Sequence, residues 1–185
     1  MRIISGKFKG KKLVLPDSKK TRPLRDFVKE NIFNLITHSK DIKFNFNKSK
    51  ICDLFSGSGS FGLECLSRGS ESVIFVKQKK DIIKVLKRNI SKMEATINYE
   101  VIENDVISFL SSKTSGGSGG LDLIFIDPPY QFKKNKEIFN LISKNFKNVF
   151  LIFHTHIKND LNIPLNFKTL IEKKYGISKI VFLKC

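Results

Sequence analysis

Long apolar runs are missing from this sequence. No uninterrupted stretch approaches the roughly 18 to 20 residues that cross a bilayer, and no secretory apolar segment follows the charged Met1-Arg2 start. Membrane insertion and export are therefore not expected, and the cytoplasm is the expected compartment. Cysteine is scarce too: Cys52, Cys65 and Cys185 include no CxxC pair, and Cys52 lies in an apolar run where a thiol behaves as a small hydrophobe. Neither a bound metal nor a disulfide scaffold is expected. Acidic residues are outnumbered, 17 against 34 basic ones, for a formal charge of +17. A field of that sign steers polyanions, so nucleic acid is the leading partner.

What is present describes a globular protein. The 185 residues are 41% hydrophobic and 28% charged, too apolar for a disordered chain and enough for one domain with a small appendage. An AT-biased coding sequence would also enrich Lys, Asn, Ile and Phe, but it does not readily account for how the charge is distributed. Residues 1–50 hold 14 basic and only 4 acidic residues. The sequence thus divides into a basic N-terminal extension, residues 1–48, and a main domain, residues 49–185.

In the extension, Met1 to Pro16 alternates apolar with basic or small residues and reads as a hairpin. Val28, Ile32, Leu35 and Ile36 then recur at helical spacing, predicting a helix over about 25–38, and the polar, lysine-rich residues 39–50 read as a linker. The main domain alternates strand and helix. Strands are predicted at Ile51–Phe55, Ser72–Val76, Tyr99–Ile102, Leu121–Ile126 and Val149–Phe153, with helices between them. That alternation predicts a mostly parallel sheet covered on both faces. Residues 167–175 and 178–183 flank Gly176 and predict a closing antiparallel hairpin. Ser111 to Gly120, rich in Ser and Gly, reads as a surface loop.

Two strand ends carry the chemistry. After Ile51-Cys52-Asp53-Leu54-Phe55 comes Ser56-Gly57-Ser58-Gly59-Ser60-Phe61-Gly62, whose Gly57, Gly59 and Gly62 satisfy GxGxxG. Such a turn lets backbone N–H groups and a helix N-terminus approach a ligand. A nicotinamide dinucleotide would want an acidic residue about 20 positions on, where the chain has Lys77 instead, a residue able to meet only a 2′-phosphate. No Lys-Ser or Lys-Thr closes the glycine run, which disfavours a P-loop. Asp53 can face a cationic sulfonium and amino group, and Asp105 can accept from an adenine amine. Each acid also has a plain reading, as a capping carboxylate or a strand-exit turn. Together with the glycines they fit an S-adenosylmethionine-like pocket.

About 70 residues beyond the glycine loop, a pure apolar strand ends at Asp127-Pro128-Pro129-Tyr130. A carboxylate, a proline-constrained backbone and an aromatic face are well suited to a flipped base. Hydrogen bonds from an exocyclic amine to Asp127 and to the Pro128 carbonyl would aim its lone pair at an incoming methyl group, with Tyr130 stacking the ring. The plain alternative is a tight turn with a surface tyrosine. Arg2, Lys7, Lys9, Lys11, Lys12, Arg22 and Arg25 are candidates for phosphate contacts.

The sequence resembles the RsmD-like bacterial methyltransferases, which modify the exocyclic N2 of a guanine in 16S ribosomal RNA. The resemblance covers nearly the whole chain. It includes Arg2 to Gly10, Thr21-Arg22-Pro23 with Asp26, Val28, Lys29 and Glu30, Asp53 to Gly59, Gly62-Leu63-Glu64, Leu66 to Gly69, Asp127 to Tyr130, and Tyr175-Gly176. It implies a class I S-adenosylmethionine-dependent methyltransferase fold, Rossmann-like, with a mostly parallel seven-stranded sheet and a C-terminal antiparallel hairpin. It also implies S-adenosylmethionine as donor, held around Asp53, Phe55, Ser56, Gly57, Gly59, Gly62, Lys77 and Asp105. The implied partner is 16S rRNA within the small ribosomal subunit or its assembly intermediate; a monomer is expected. DPPY alone also resembles amino-methyltransferases of DNA adenine, and a non-catalytic RNA-binding assembly protein would keep the same fold. Lys77 departs from the family, which has an acid there for the donor's ribose hydroxyls; Asp81 replaces it only if the loop bends back. His154 stands about where relatives end a strand with Glu, and it is given no catalytic role.

Overall fold

A computed structural model of the chain describes residues 1–16, 24–93, 96–113, 120–129 and 131–185. Helix α1 (Asp26–His38) precedes a repeating series: β1 (Lys50–Asp53), α2 (Ser60–Ser67), β2 (Ser72–Val76), α3 (Lys80–Ile90), β3 (Tyr99–Ile102) and α4 (Val106–Ser111). The chain continues through β4 (Leu123–Ile126), α5 (Asn135–Asn145), β5 (Phe150–His156), β6 (Lys168–Tyr175) and β7 (Ser178–Lys184). The strands form one seven-stranded sheet in the order β3-β2-β1-β4-β5-β7-β6. The first five run parallel, and β7 runs antiparallel to both β5 and β6. This is the Rossmann-like sheet of class I S-adenosylmethionine-dependent methyltransferases.

Burial follows the pleat. Ile51, Leu123, Phe125, Ile152, Ile180 and Phe182 face a core shared with α1, α2 and α3. Their neighbours Cys52, Ile124, Ile126, Leu151, Phe153, Val181 and Leu183 face the core beneath α4 and α5. Because every residue of β4 is buried, its LIFI run has no polar face, as a central strand covered on both sides requires. In α3 the buried Ile82, Ile83, Leu86 and Ile90 form one stripe, with Asp81 in its first turn and Lys87 and Arg88 in its last, complementing the helix dipole.

The N-terminal residues are fastened to this body rather than appended to it. Ile3, Phe8 and Leu13 join the core of the sheet. The amides of Ile4 and Ser5 donate to the Glu64 carboxylate at 2.7 and 2.9 Å, and the Asn89 amide bonds Val14 in both directions at 2.7 and 2.9 Å. Gly6, at φ +80°, passes so close to α2 that a Cβ would lie 1.8 Å from the Ser67 carbonyl oxygen, so only glycine fits. Beneath the segment, Lys29 and Glu64 are both fully buried with Nζ 3.6 Å from Oε2, while Lys29 also donates to the Arg2 carbonyl and Arg68 to Glu64. Lys29, Glu64 and Arg68, all within the segments that carry the family resemblance, thus form one ion cluster clamping the N-terminal segment.

The N-terminal hairpin forms around the antiparallel bridge of Arg2 with Lys12, the amides of Ile3, Gly10 and Leu13 donating to the carbonyls of Lys11, Ile3 and Met1, and it is tied to α2 by the Lys7 and Phe8 amides, which donate to Ser67. One expectation changes here. The 39–50 linker is packed: Ile42 and Phe46 are buried, and the Phe46 ring lies 5.4 Å from that of Phe33. Residue 48 therefore separates two compositions but not two cores.

Candidate active site

In this strand order the connections reverse direction between β1 and β4, so the crevice beyond their carboxyl ends is the topological switch point where open α/β sheets take ligands. Both acids of the sequence motifs arrive there. Asp53 ends β1, in register with Phe125 of β4 and, through it, with Ile152 of β5. Two residues further along those strands come Asp127 and His154, whose strands pair Ile126 with Phe153 just before. The Nδ1 of His154 lies 2.8 Å from Oδ1 of Asp127.

The Asp53 side is built from backbone. Asp53 is 2% exposed, and its Oδ2 accepts from the Gly62 amide at 3.3 Å. Burial pushes its pKa up to about 7; the Gly62 bond pulls it down, the nearby charge of Asp127 pushes it up, and Lys77 opposes that push. The glycine loop turns through Gly57 at φ 45° and Gly59 at φ 79°, closed by a Gly59 amide bond to the Ser56 carbonyl. The Ser56 amide and hydroxyl both donate to the Val76 carbonyl, tying the loop to the end of β2. A Cβ on Gly59 would meet Leu86 at 2.4 Å, and one on Gly62 would meet Phe75 at 2.4 Å. Gly62 is required by the packing of α2 on β2, and Gly59 by its positive φ, whether or not a ligand is bound.

On the other side, Pro128 is buried and Pro129 is exposed, with the Phe132 amide closing the turn onto the Pro129 carbonyl at 2.8 Å. Phe55, after β1, meets Phe132 edge to face at 5.2 Å, so an aromatic pair links the glycine-loop side to the DPPY side. Tyr130 lies outside the described residues, as does Arg22. Asp105 caps α4, its Oδ1 accepting from the amides of Ile107 and Ser108; hydrogen bonds from Ser108 hold its pKa below the ordinary value. Half-buried Lys77 follows β2, its pKa lowered by burial and drawn back up chiefly by Asp53.

Among the basic candidates, Arg2, Lys7, Lys9, Lys12 and Arg25 are exposed. Lys11 is half-buried, donating to the Lys92 carbonyl at 2.6 Å with its Nζ 5.1 Å from the Phe8 ring centre. The segment ends up beside the site, because the Ser58 hydroxyl of the glycine loop lies 3.6 Å from the Met1 sulfur. Two solvent-open hollows, of about 250 and 340 Å³, lie elsewhere; the first is lined by Ser49, Asp122 and Phe150 at the amino ends of the strands.

His154 is the residue that sequence reasoning undervalued. Its signal was register: once β4 and β5 pair in parallel, the residue after Phe153 must stand beside the residue after Ile126.

A methyl donor of the S-adenosylmethionine type suits these residues. The glycine turn brings backbone to the crevice, Asp53 is a carboxyl group whose ionised form a cation would stabilise, and the Ser60 hydroxyl on the first turn of α2 is buried with no partner among the described residues. Lys77 is the exception, since an ammonium has no acceptor for ribose hydroxyls.

Comparison with known proteins agrees with this geometry. The family described as Conserved hypothetical protein 95 matches residues 1–184. YlbH of Bacillus subtilis is 40% identical over 146 residues, 78% of this chain and 74% of that protein. The ribosomal RNA small subunit methyltransferase D of Buchnera aphidicola is 34% identical over 184 residues, 97% of this chain and 88% of the relative. The solved structure of yhhF from Escherichia coli superposes with a TM-score of 0.81 at 26% identity, covering 100% of this chain and 97% of that one. The chain belongs to the Conserved hypothetical protein 95 family and is an S-adenosylmethionine-dependent methyltransferase related to the RsmD-like enzymes.

Proposed function

We propose that this protein transfers the methyl group of S-adenosylmethionine to the exocyclic N2 amine of a guanine in 16S rRNA, within the small ribosomal subunit or an assembly intermediate of it. The observation that carries the reading is the Asp127-Pro128 turn standing one strand from Asp53 and its glycine loop. The relatives named ribosomal RNA small subunit methyltransferase D support the substrate, as does the +17 charge.

When bound, the donor supplies an electrophilic sulfonium methyl whose C–S bond electrons return to sulfur on transfer. The residues then divide the work. Asp53 and the loop from Phe55 and Ser56 through Gly57, Gly59 and Gly62 hold the donor, with Lys77 and Asp105 at the flanks. Asp127 and the Pro128 carbonyl accept the two amine protons, which leaves the nitrogen lone pair directed across the crevice. Pro129 fixes the turn and Tyr130 stacks the purine. As the N–C bond forms, the nitrogen becomes cationic and one of its protons passes to Asp127, so no strong base is needed beforehand. Arg2, Lys7, Lys9, Lys11, Lys12, Arg22 and Arg25 meet phosphates and place the RNA without reading its bases.

The test is incubation with labelled donor and small subunits from a methylation-deficient strain, followed by nucleoside mass spectrometry. Labelled N2-methylguanosine is expected. Label on adenine N6 of plasmid DNA, with none on the subunit, would overturn the substrate. Subunit binding without donor binding would leave a non-catalytic assembly protein.

A further inference from the structure

We propose that His154 is a positioning residue for Asp127: it holds one carboxylate oxygen so that the other is presented to the substrate amine. The inference rests on the methyl-transfer reading above and adds a residue to it.

Nδ1 of His154 and Oδ1 of Asp127 are 2.8 Å apart, the His154 side chain is 2% exposed and the Asp127 side chain 17%. An ionised carboxylate only accepts, so in that state the proton of this bond sits on Nδ1. The terminal torsion of an aspartate is broad and roughly two-fold, and a lone carboxylate just past a strand end would sample many planes. Here the restraint comes from the neighbouring strand. His154 lies inside β5, paired with Ile180 of β7 on one side and next to the β4 exit on the other. The ring is embedded in the sheet, so the bond fixes the carboxylate plane relative to the same β1-β4 crevice that holds the donor side. Oδ1 is engaged, and Oδ2, with no hydrogen-bond partner among the described residues, remains for the amine proton and for its later uptake.

The test compares three variants on small subunits at saturating donor. In His154→Leu the bond is lost, and kcat should fall by up to about 100-fold, the scale of a misplaced reacting group, with KM for the subunit and calorimetric affinity for S-adenosylhomocysteine unchanged. His154→Asn presents an N–H near the place of Nδ1 and should restore most of the rate. His154→Gln, whose amide reaches toward the Nε2 place, should not. In an Asp127→Asn background, His154→Leu should have no further effect. Equal impairment of the Asn and Gln variants, or wild-type kcat in the Leu variant, would overturn the proposal; the Asn and Gln pair decides it should the Leu variant not fold. Imidazole nitrogen NMR gives an answer independent of substrate: an Nδ1–H tautomer that is lost in Asp127→Ala is expected, and an Nε2–H tautomer in the wild type would overturn the proposal. Absence of transfer by the wild type with the Nδ1–H signal present would instead count against the substrate alone.

Discussion

Asp53 and Asp127 leave adjacent parallel strands two residues apart in register, and they are supported in opposite ways. Asp53 is sealed from solvent and bonded to a backbone amide, and burial weakens it to an acid of pKa about 7. Asp127 is more open and is bonded to a buried histidine side chain. Under the proposed function the contrast separates two tasks of one sheet edge: on the donor side the charge would be conditional, available when a cation arrives to stabilise it, and on the acceptor side the geometry would be fixed with an oxygen kept ready.

The sharpest way to break the comparison is Asp127→Ala. Removing the group proposed to orient the amine and take its proton should cut methyl transfer about 10²- to 10⁴-fold while leaving S-adenosylhomocysteine affinity nearly intact by calorimetry. Equal loss of donor affinity would show that both carboxylates serve one ligand and that the division is false.

Changing Lys7, Lys9, Lys11 and Lys12 together to Gln should leave both carboxylates as they are and weaken only RNA association. Every phosphate that is no longer neutralised by a lysine flattens the dependence of log K on log salt by about 0.7 to 0.9, so the slope should drop by up to about 3. Lys11 already donates to the Lys92 carbonyl and lies over Phe8, so its share should be small. Titrations at several ionic strengths check this, and an unchanged slope would move RNA binding off the N-terminal segment.

The next prediction tests the conditional charge. The folded protein keeps Asp53 protonated up to about pH 7, whereas the unfolded chain ionises it near the ordinary 3.8. Between those values the folded state binds more protons, so this group's contribution to stability falls as pH rises. A sulfonium donor favours the ionised form, so its affinity should rise with pH through about 7. Asp53→Asn should weaken donor binding about tenfold at pH 8, on the scale of one charge-assisted hydrogen bond. It should also flatten the pH dependence of both affinity and thermal midpoint. A pH dependence that survives in the Asn variant would assign it to another group.

How much of this was legible beforehand follows from the physics of each element. β4 and α3 were readable because a fully apolar tetrapeptide and an amphipathic stripe each fix burial locally. The DPPY turn and the glycine loop were readable because proline and glycine restrict the backbone by themselves. The clamp of Lys29, Glu64 and Arg68 was not readable as a clamp, since Glu64 reaches Ile4 and Ser5 across 60 and 59 residues, and polar residues on short helices give no periodic signal. For the same reason 39–50 looked like a linker: Ile42 and Phe46 acquire partners only when α1 folds back on the sheet. His154 needed the β4-β5 register before its neighbour could be known.

Lys77 offers the smallest and most discriminating change, because it sits within electrostatic reach of both carboxylates. An ammonium cannot accept from ribose hydroxyls, so Lys77→Glu supplies the missing acceptors, each net hydrogen bond being worth about 1 kcal/mol. The same substitution removes a cation that opposes the upward push on Asp53 and adds a third carboxylate, which keeps Asp53 protonated to higher pH. The two effects oppose one another below neutrality and part at higher pH, where Asp53 ionises in either case. Donor affinity should therefore gain about fivefold at pH 8.5, roughly one such bond, and little at pH 6.5, with kcat nearly constant because Asp127 keeps its histidine. Weaker binding at both pH values would reverse the assignment: Lys77 would then be the counter-charge that lets Asp53 ionise, and donor binding in this chain would rest on that pair instead of on ribose recognition.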